Sequence, residues 1–324
     1  MPTSRPSDVH KPYTYEASAP VDGQEPSLGF WHSKPSVQLP PGACDCHVHV
    51  FWPRALYPVA EDRVFAPGVA SVEDLVHMHT AIGIDRVVLV QASTHGDDNR
   101  GVLHAAKALN DMGRPARVVA VLPSGTTVRE LEQLHAAGVR GLRVNLQSYG
   151  ETDRSVAASR LQTAAAMAAE VGWHVQTYTN LGVIAELKDV IASLPVPLVV
   201  DHFALADPAA GSTQPGWSAL LDLVADGNVW VKLSAPYRLV RDLDGKDGRA
   251  MARSFIDANA DRMLWGTDWP HTGPWPGLPR DRDGEEPFHP IDDGAMLSMF
   301  ERWTSSEERQ KIFVSNPARL YGFK

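Results

Sequence analysis

Eight short apolar, β-branched runs recur along this chain, at 43–49, 86–92, 117–122, 141–144, 174–178, 197–201, 229–233 and 263–266. Helical patterns separate them, near 72–82, 100–112, 128–137, 155–171, 181–193, 217–226 and 249–259, with two more after residue 290. That beat constrains the fold more than any other feature. Strands joined by helices pair in parallel, and a parallel sheet needs helices covering its faces. Eight repeats suggest closure into a (β/α)8 barrel, for which 324 residues is a comfortable length. An open doubly wound sheet is the alternative, but it usually carries a Gly-rich phosphate turn after its first strand. Here that place holds His-Val-His-Val-Phe-Trp-Pro, residues 47–53.

A barrel collects its chemistry where strands end, at the C-terminal rim. The first strand ends in His47 and His49, the second runs into Ser93, the fourth into Arg143 and Asn145, and the fifth into Gln176 and Tyr178. The sixth ends in Asp201-His202, the seventh runs into Tyr237 and Arg238, and the eighth leads into Asp268 and His271. Residues two apart on a strand share a face. Asp45, His47 and His49 are therefore expected on one face, with Cys44, Cys46 and Val48 turned toward the surrounding helices. A side-by-side imidazole pair at a strand end suits a divalent metal or an electrophilic clamp on a carbonyl. His77 and His79 repeat the spacing inside an amphipathic helical pattern, where residues two apart diverge by roughly 200° and cannot chelate one ion. They read as surface residues.

Net charge is −9, the sequence pI is about 5.8, and no long basic block is present, which argues against nucleic acid and anionic membrane as partners. No apolar run approaches the roughly 20 residues of a membrane helix. Residues 1–40 are rich in Pro, Ser and Gly without apolar period and read as an extended arm on a 41–324 barrel, with Phe30 and Trp31 as candidate pins. The N-terminus lacks a signal-peptide plan, and two cysteines at i and i+2 cannot form an unstrained disulfide. A cytoplasmic, reduced protein is the expectation.

Three motifs in order, Asp-Cys-His-Val-His-Val-Phe at 45–51, Val-Asp-His-Phe at 200–203 and Trp-Gly-Thr-Asp-Trp-Pro-His at 265–271, resemble the amidohydrolase superfamily. Val-Gln-Ala-Ser at 90–93, Gly-Leu-Arg-Val-Asn at 141–145 and Lys-Leu-Ser-Ala-Pro-Tyr at 232–237 look like its branch of 2-pyrone-4,6-dicarboxylate lactonases and related lactone hydrolases. The resemblance covers about residues 40–324. It implies that Asp268 acts as general base toward water, with His47, His49 and His202 gathered around the substrate carbonyl or a metal. Opening a lactone needs a deprotonated water, an oxyanion stabiliser and a proton for the leaving oxygen. Arg143 and Arg238 offer bidentate forks for substrate carboxylates. Ser93, Asn145, Tyr178 and His271 complete the expected substrate contacts, with His271 standing behind the catalytic groups.

Metal-dependent members commonly add a histidine at the end of the fifth strand. Here His174 sits at that strand's start, where the bottom of the barrel is expected. The remaining set, His47, His49, His202 and Asp268, could hold a single zinc or other divalent ion in an open site, but no obligatory metal is expected. A metal-dependent amidohydrolase, decarboxylase or hydratase on the same barrel is the rival reading. Further arginines that the lactonase branch implies are replaced by Tyr149 and Leu205, which favours a lactone with one carboxylate, or a sugar lactone, at least as well as a dicarboxylate. The loop 271–289, with Trp275 and Phe288, is expected to cap the pocket. A homodimer is compatible with the chain, although no heptad or interface stripe supports one.

Overall fold

The computed structural model describes residues 31–151, 153–239, 246–274 and 280–324. Phe30, Trp275, and the charged Arg241, Asp242 and Asp244 lie outside them. Eight strands form one parallel sheet in sequential order: β1 (Cys44–Val48), β2 (Arg86–Val90), β3 (Ala116–Ala120), β4 (Val139–Asn145), β5 (His174–Tyr178), β6 (Leu198–Val200), β7 (Val229–Ser234) and β8 (Met263–Gly266). The helices are α1 (Val72–Ile82), α2 (Arg100–Asp111), α3 (Val128–Ala136), α4 (Arg154–Ala169), α5 (Leu181–Glu186), α6 (Lys188–Ala192), α7 (Trp217–Ala225), α8 (Lys246–Asn259), α9 (Asp293–Trp303), α10 (Ser306–Gln310) and α11 (Asn316–Tyr321). The single helix expected over 181–193 is two, parted at Leu187 (φ −102°). Reciprocal capping boxes start α1 (Ser71 with Asp74) and α3 (Thr127 with Glu130), so local sequence alone fixes those boundaries.

The barrel closes through residues that follow β8 rather than through β8 itself. Asp268 N–H donates to the His47 carbonyl at 2.9 Å, and His49 N–H donates to the Trp269 carbonyl at 2.8 Å. The seam thus joins the two motifs that carry the candidate chemistry.

Two apolar layers hold the molecule. The outer one packs Val87, Leu89, Val118, Val175, Val200 and Val231 against the helices. The lumen is filled by Cys44, Cys46, Val88, Val90, Val119, Val199, Trp230 and Leu264, closed at the base by Tyr321 and Phe323. Arg86 and Arg117 lie over the Phe323 ring, 5.6 and 4.9 Å from its centre.

Strand β1 corrects the simple alternation. Its register against β2 runs Cys44↔Arg86, Asp45↔Val87, then Val48↔Leu89, so one extra residue sits between Asp45 and Val48. That β-bulge resets the phase. Cys44 and Cys46 face the lumen instead of the helices, and Asp45 turns outward to meet His79 of α1 at 3.2 Å. His79 is 2% exposed, so it is a buried partner of Asp45 and not a surface residue. Beyond the bulge, His47 and His49 both turn into the rim. No helix among the described residues is long and apolar enough to cross a membrane.

Candidate active site

Asp45 is the anchor under the site. Its Oδ1 accepts from His47 N–H (3.1 Å) and Thr267 N–H (3.0 Å), while Oδ2 accepts from the Thr267 hydroxyl (2.6 Å) and faces His79 Nε2. One buried carboxylate therefore ties the β1 bulge to the turn that delivers Asp268. The approach is close enough to require Gly266: a Cβ there would fall 2.8 Å from His47 N and 2.9 Å from His47 Cβ.

Asp268 is 1% exposed and takes φ of 66°, a region that non-glycine residues enter only when the surroundings hold them. Its Oδ2 accepts from the Tyr237 hydroxyl and from Arg238 Nε, each at 2.7 Å, with Arg238 Nη2 at 2.6 Å. Its Oδ1 points at three imidazoles: Nε2 of His202 at 3.6 Å, of His47 at 3.7 Å and of His49 at 3.8 Å. Burial, the largest single influence, works to raise the carboxyl's pKa, but Arg238 together with His202, His47 and His49 outweighs it and holds Asp268 well below the usual carboxylate range.

The histidines are not equivalent. His49 Nδ1 lies 2.8 Å from the Val90 carbonyl, which can only accept, so Nδ1 carries the proton and Nε2 presents a lone pair. Burial, with Arg143 nearby, pulls its pKa down to about 3. His202 Nδ1 meets the Ser234 hydroxyl at 2.8 Å, and burial lowers its pKa to about 4. His47 Nδ1 lies between a donor and an acceptor, Lys232 Nζ at 3.3 Å and Asp201 Oδ1 at 3.2 Å. With the ammonium donating, His47 Nε2 carries the proton and is a donor toward the rim; with the carboxylate accepting, Nε2 is bare.

Lys232 belongs to the site although nothing in the sequence assigned it a role, and Asp201, expected at the rim beside His202, is its partner. Both are fully buried. Lys232 donates to Gln176 Oε1 (2.7 Å), Gln176 Nε2 donates to Asp201 Oδ2 (3.1 Å), and Lys232 Nζ lies 3.5 Å from Asp201 Oδ1. Burial lowers the lysine's pKa and Asp201 partly restores it. A lysine in the middle of the apolar strand Val-Trp-Val-Lys-Leu-Ser was the available signal, since a buried ammonium needs a paired anion.

Above these groups opens a cavity of about 410 Å³, lined by His49, Ser93, Arg143, Tyr178, His202, Arg238 and Asp268, and on the far side by Phe51, Phe65, Thr272, Gly273, Pro274 and Arg280. Arg143 is 8% exposed, donates to the Gln91 carbonyl at 2.7 Å and leaves Nε without a partner. Arg238 is already committed to Asp268 and to the Thr272 carbonyl. Arg280, not singled out in the sequence, is neutralised by a two-point pair with Glu286 (2.6 and 3.0 Å). Asn145 lines an adjoining cavity of about 300 Å³ with Tyr149 and Arg160, and its own amide is bonded to Ser148. His271 is 1% exposed and does not line the main cavity; its Nε2 lies 3.0 Å from Asp293.

Buried His47 Nε2 and Asp268 Oδ1 lack hydrogen-bond partners. Together with His49 they bring three potential ligand atoms within 4.8 Å of one another, as do His47, Asp201 and His202. Separations of 3.6–3.8 Å are too long for direct hydrogen bonds and fit groups bridged by a shared atom. The buried His and Asp groups could therefore hold a metal ion.

A family model described as Amidohydrolase matches residues 44–323. The chain is 36% identical to a 2-pyrone-4,6-dicarboxylate hydrolase of Comamonas testosteroni, over 89% of this chain and 93% of that one. It is 32% identical to a 4-sulfomuconolactone hydrolase of Hydrogenophaga intermedia, over 88% and 90%. An apo crystal structure from Agrobacterium tumefaciens superposes with a TM-score of 0.74 at 25% identity, covering 90% of this chain and 99% of that chain.

Proposed function

We propose, from the premise that this chain belongs to the amidohydrolase family, that it hydrolyses the ester bond of a carboxylated lactone. The observation that carries the reading is Asp268 Oδ1, unpaired and facing three Nε2 atoms at 3.6–3.8 Å at the floor of a cavity that also presents Arg143. The relatives act on lactones bearing carboxylate or sulfonate groups by their names, and an anion beside Arg143 fits that class.

In this reading a water held between Asp268 Oδ1 and the His49 Nε2 lone pair attacks the lactone carbonyl carbon, and Asp268 takes its proton. His47, with Lys232 donating to Nδ1, offers Nε2–H to the developing oxyanion. Collapse breaks the ring C–O bond, and the proton on Asp268 passes to the leaving oxygen. A carboxylate held so low is a weak base in the resting protein. A bound anion near Arg143 and Arg238 offsets the cationic field and raises its proton affinity.

The donor set also fits a divalent ion on His47 Nε2, His49 Nε2 and Asp268 Oδ1, which when bound would polarise the carbonyl and acidify water. Metal-stripped protein assayed on pyrone carboxylates, muconolactone types and aldonolactones, with and without zinc, separates the two. Turnover without metal supports direct histidine action; turnover only with zinc moves these residues into a metal site. Silence under both conditions overturns the lactonase reading.

A further inference from the structure

The chain before β1 runs along the start of α9. Ser33 N–H donates to Asp292 Oδ1 at 2.9 Å, the same oxygen that caps the helix by accepting Ala295 N–H at 3.0 Å. Ser36 N–H donates to the Ser298 hydroxyl and Ser36 Oγ to Glu301, each at 2.9 Å. Gly294 is what lets the two segments touch, because a Cβ there would collide with the Ser33 carbonyl. Ser33, Ser36 and His32 make the polar attachment of this segment, and Trp31 is half-buried.

His32 goes further than attachment. Its side chain is 4% exposed; Nδ1 accepts from the backbone N–H of Asp293 at 3.4 Å and lies 3.3 Å from Oδ2 of that residue, which is fully buried. The other oxygen of Asp293 lies 3.0 Å from His271 Nε2. A carboxylate only accepts, so His271 Nε2 carries the proton. His271 N–H in turn donates to the Asp268 carbonyl at 2.8 Å, and its ring stands edge-on to Tyr237, 5.6 Å between centres, whose hydroxyl holds Asp268 Oδ2. Asp268 and His271 both take left-handed backbone, with φ of 66° and 69°. Neither is glycine, so their conformations persist only because contacts outside the turn impose them.

We infer that His32 is a positioning residue of the site: acting through Asp293 and His271, the arm holds the turn that aims Asp268. This rests on the reading of Asp268 as the catalytic carboxylate. Misplacement of a reacting group by about an ångström can cost 10²-fold, so a partial loosening is expected to cost about tenfold.

The test uses the full chain with His32→Ala, His32→Asn, Asp293→Asn and the His32→Ala/Asp293→Asn pair. On the lactone the protein turns over, His32→Ala is expected to lower kcat about tenfold with KM within about twofold, and His32→Asn to restore most of it. The pair should be no slower than Asp293→Asn alone, since both act through one chain of contacts. A second readout needs no substrate. In protein carrying 15N-histidine, the Nε2 proton of His271, assigned by its loss in His271→Gln, should move upfield in His32→Ala and return in His32→Asn. An unmoved proton, with full kcat in a folded but lower-melting His32→Ala, would make the arm a mere staple and overturn the inference. If no lactone is turned over, the catalytic reading fails, and the proton still decides whether His32 reaches His271.

Discussion

The two ends of the barrel lumen hold the same kind of residue in different company. At the base, His174 is buried, with both ring nitrogens lacking hydrogen-bond partners among side chains, packed edge-on against Tyr321 at 5.2 Å. It rests over Gly141, where a Cβ would fall 2.5 Å from the ring. At the rim, His47, His49 and His202 are as buried, yet their Nε2 atoms converge on one carboxylate oxygen beneath a cavity. Burial lowers the pKa of His174 and His49 alike to about 3. A depressed imidazole therefore does not mark a site; convergence on an anion beside open volume does.

That contrast is open to test, beginning with the largest effect. Asp268→Asn removes the anion on which the rim converges and should lower kcat by at least about two orders of magnitude, the scale of a lost general base. Steady-state kinetics on folded variant protein, with circular dichroism unchanged, is the check, and retained turnover would dissolve the distinction between rim and base. Next, Arg143→Met should raise KM for a carboxylated lactone roughly 10- to 100-fold, because a charged hydrogen bond contributes about 1.5–3 kcal/mol. An uncharged lactone assayed in parallel should feel much less. Gly266→Ala forces a methyl against the His47 backbone and should destabilise the fold by roughly 1–3 kcal/mol, read from denaturant midpoints.

The smallest effect belongs to the base. His174→Leu should leave kcat and KM within about twofold, the outcome that a purely structural histidine requires. It should also alter how stability depends on pH. His174, His49 and His202 are neutral in the fold, with pKa near 3, 3 and 4 against 6.5 for a free imidazole. As pH falls below about 6.5 the unfolded chain takes up protons first. Their contribution is thus complete above 6.5 and is lost as pH drops toward 4. Melting temperature should fall between pH 7 and pH 4, less steeply in His174→Leu than in the parent. An equal slope in both would show that the base histidine is already charged or solvated.

Much of this was legible in the chain. The beds of the eight strands and the order of the rim residues follow from period and spacing, because a barrel strand must be apolar where both faces are covered. Asp268, His47, His49 and His202 stand together as their positions at strand ends implied. What escaped was set by single residues acting across long separations. The bulge in β1 shifts every later side chain by one face, and only its pairing with β2 reveals it. Lys232 reads as one polar residue in an apolar strand until Gln176 and Asp201, 56 and 31 positions earlier, are placed against it.

The sequence by itself determined the architecture, since the strand–helix period and the capping residues are local properties that any fold must respect. Tertiary structure decided which atoms face one another at the rim and in what state. Whether His49 shows a lone pair depends on the Val90 carbonyl 41 residues away, and whether Arg238 is free for substrate depends on Asp268, 30 residues on. Tautomer, charge pairing and aim are set by partners distant in sequence, and a buried polar group takes its character from whichever partner the fold supplies.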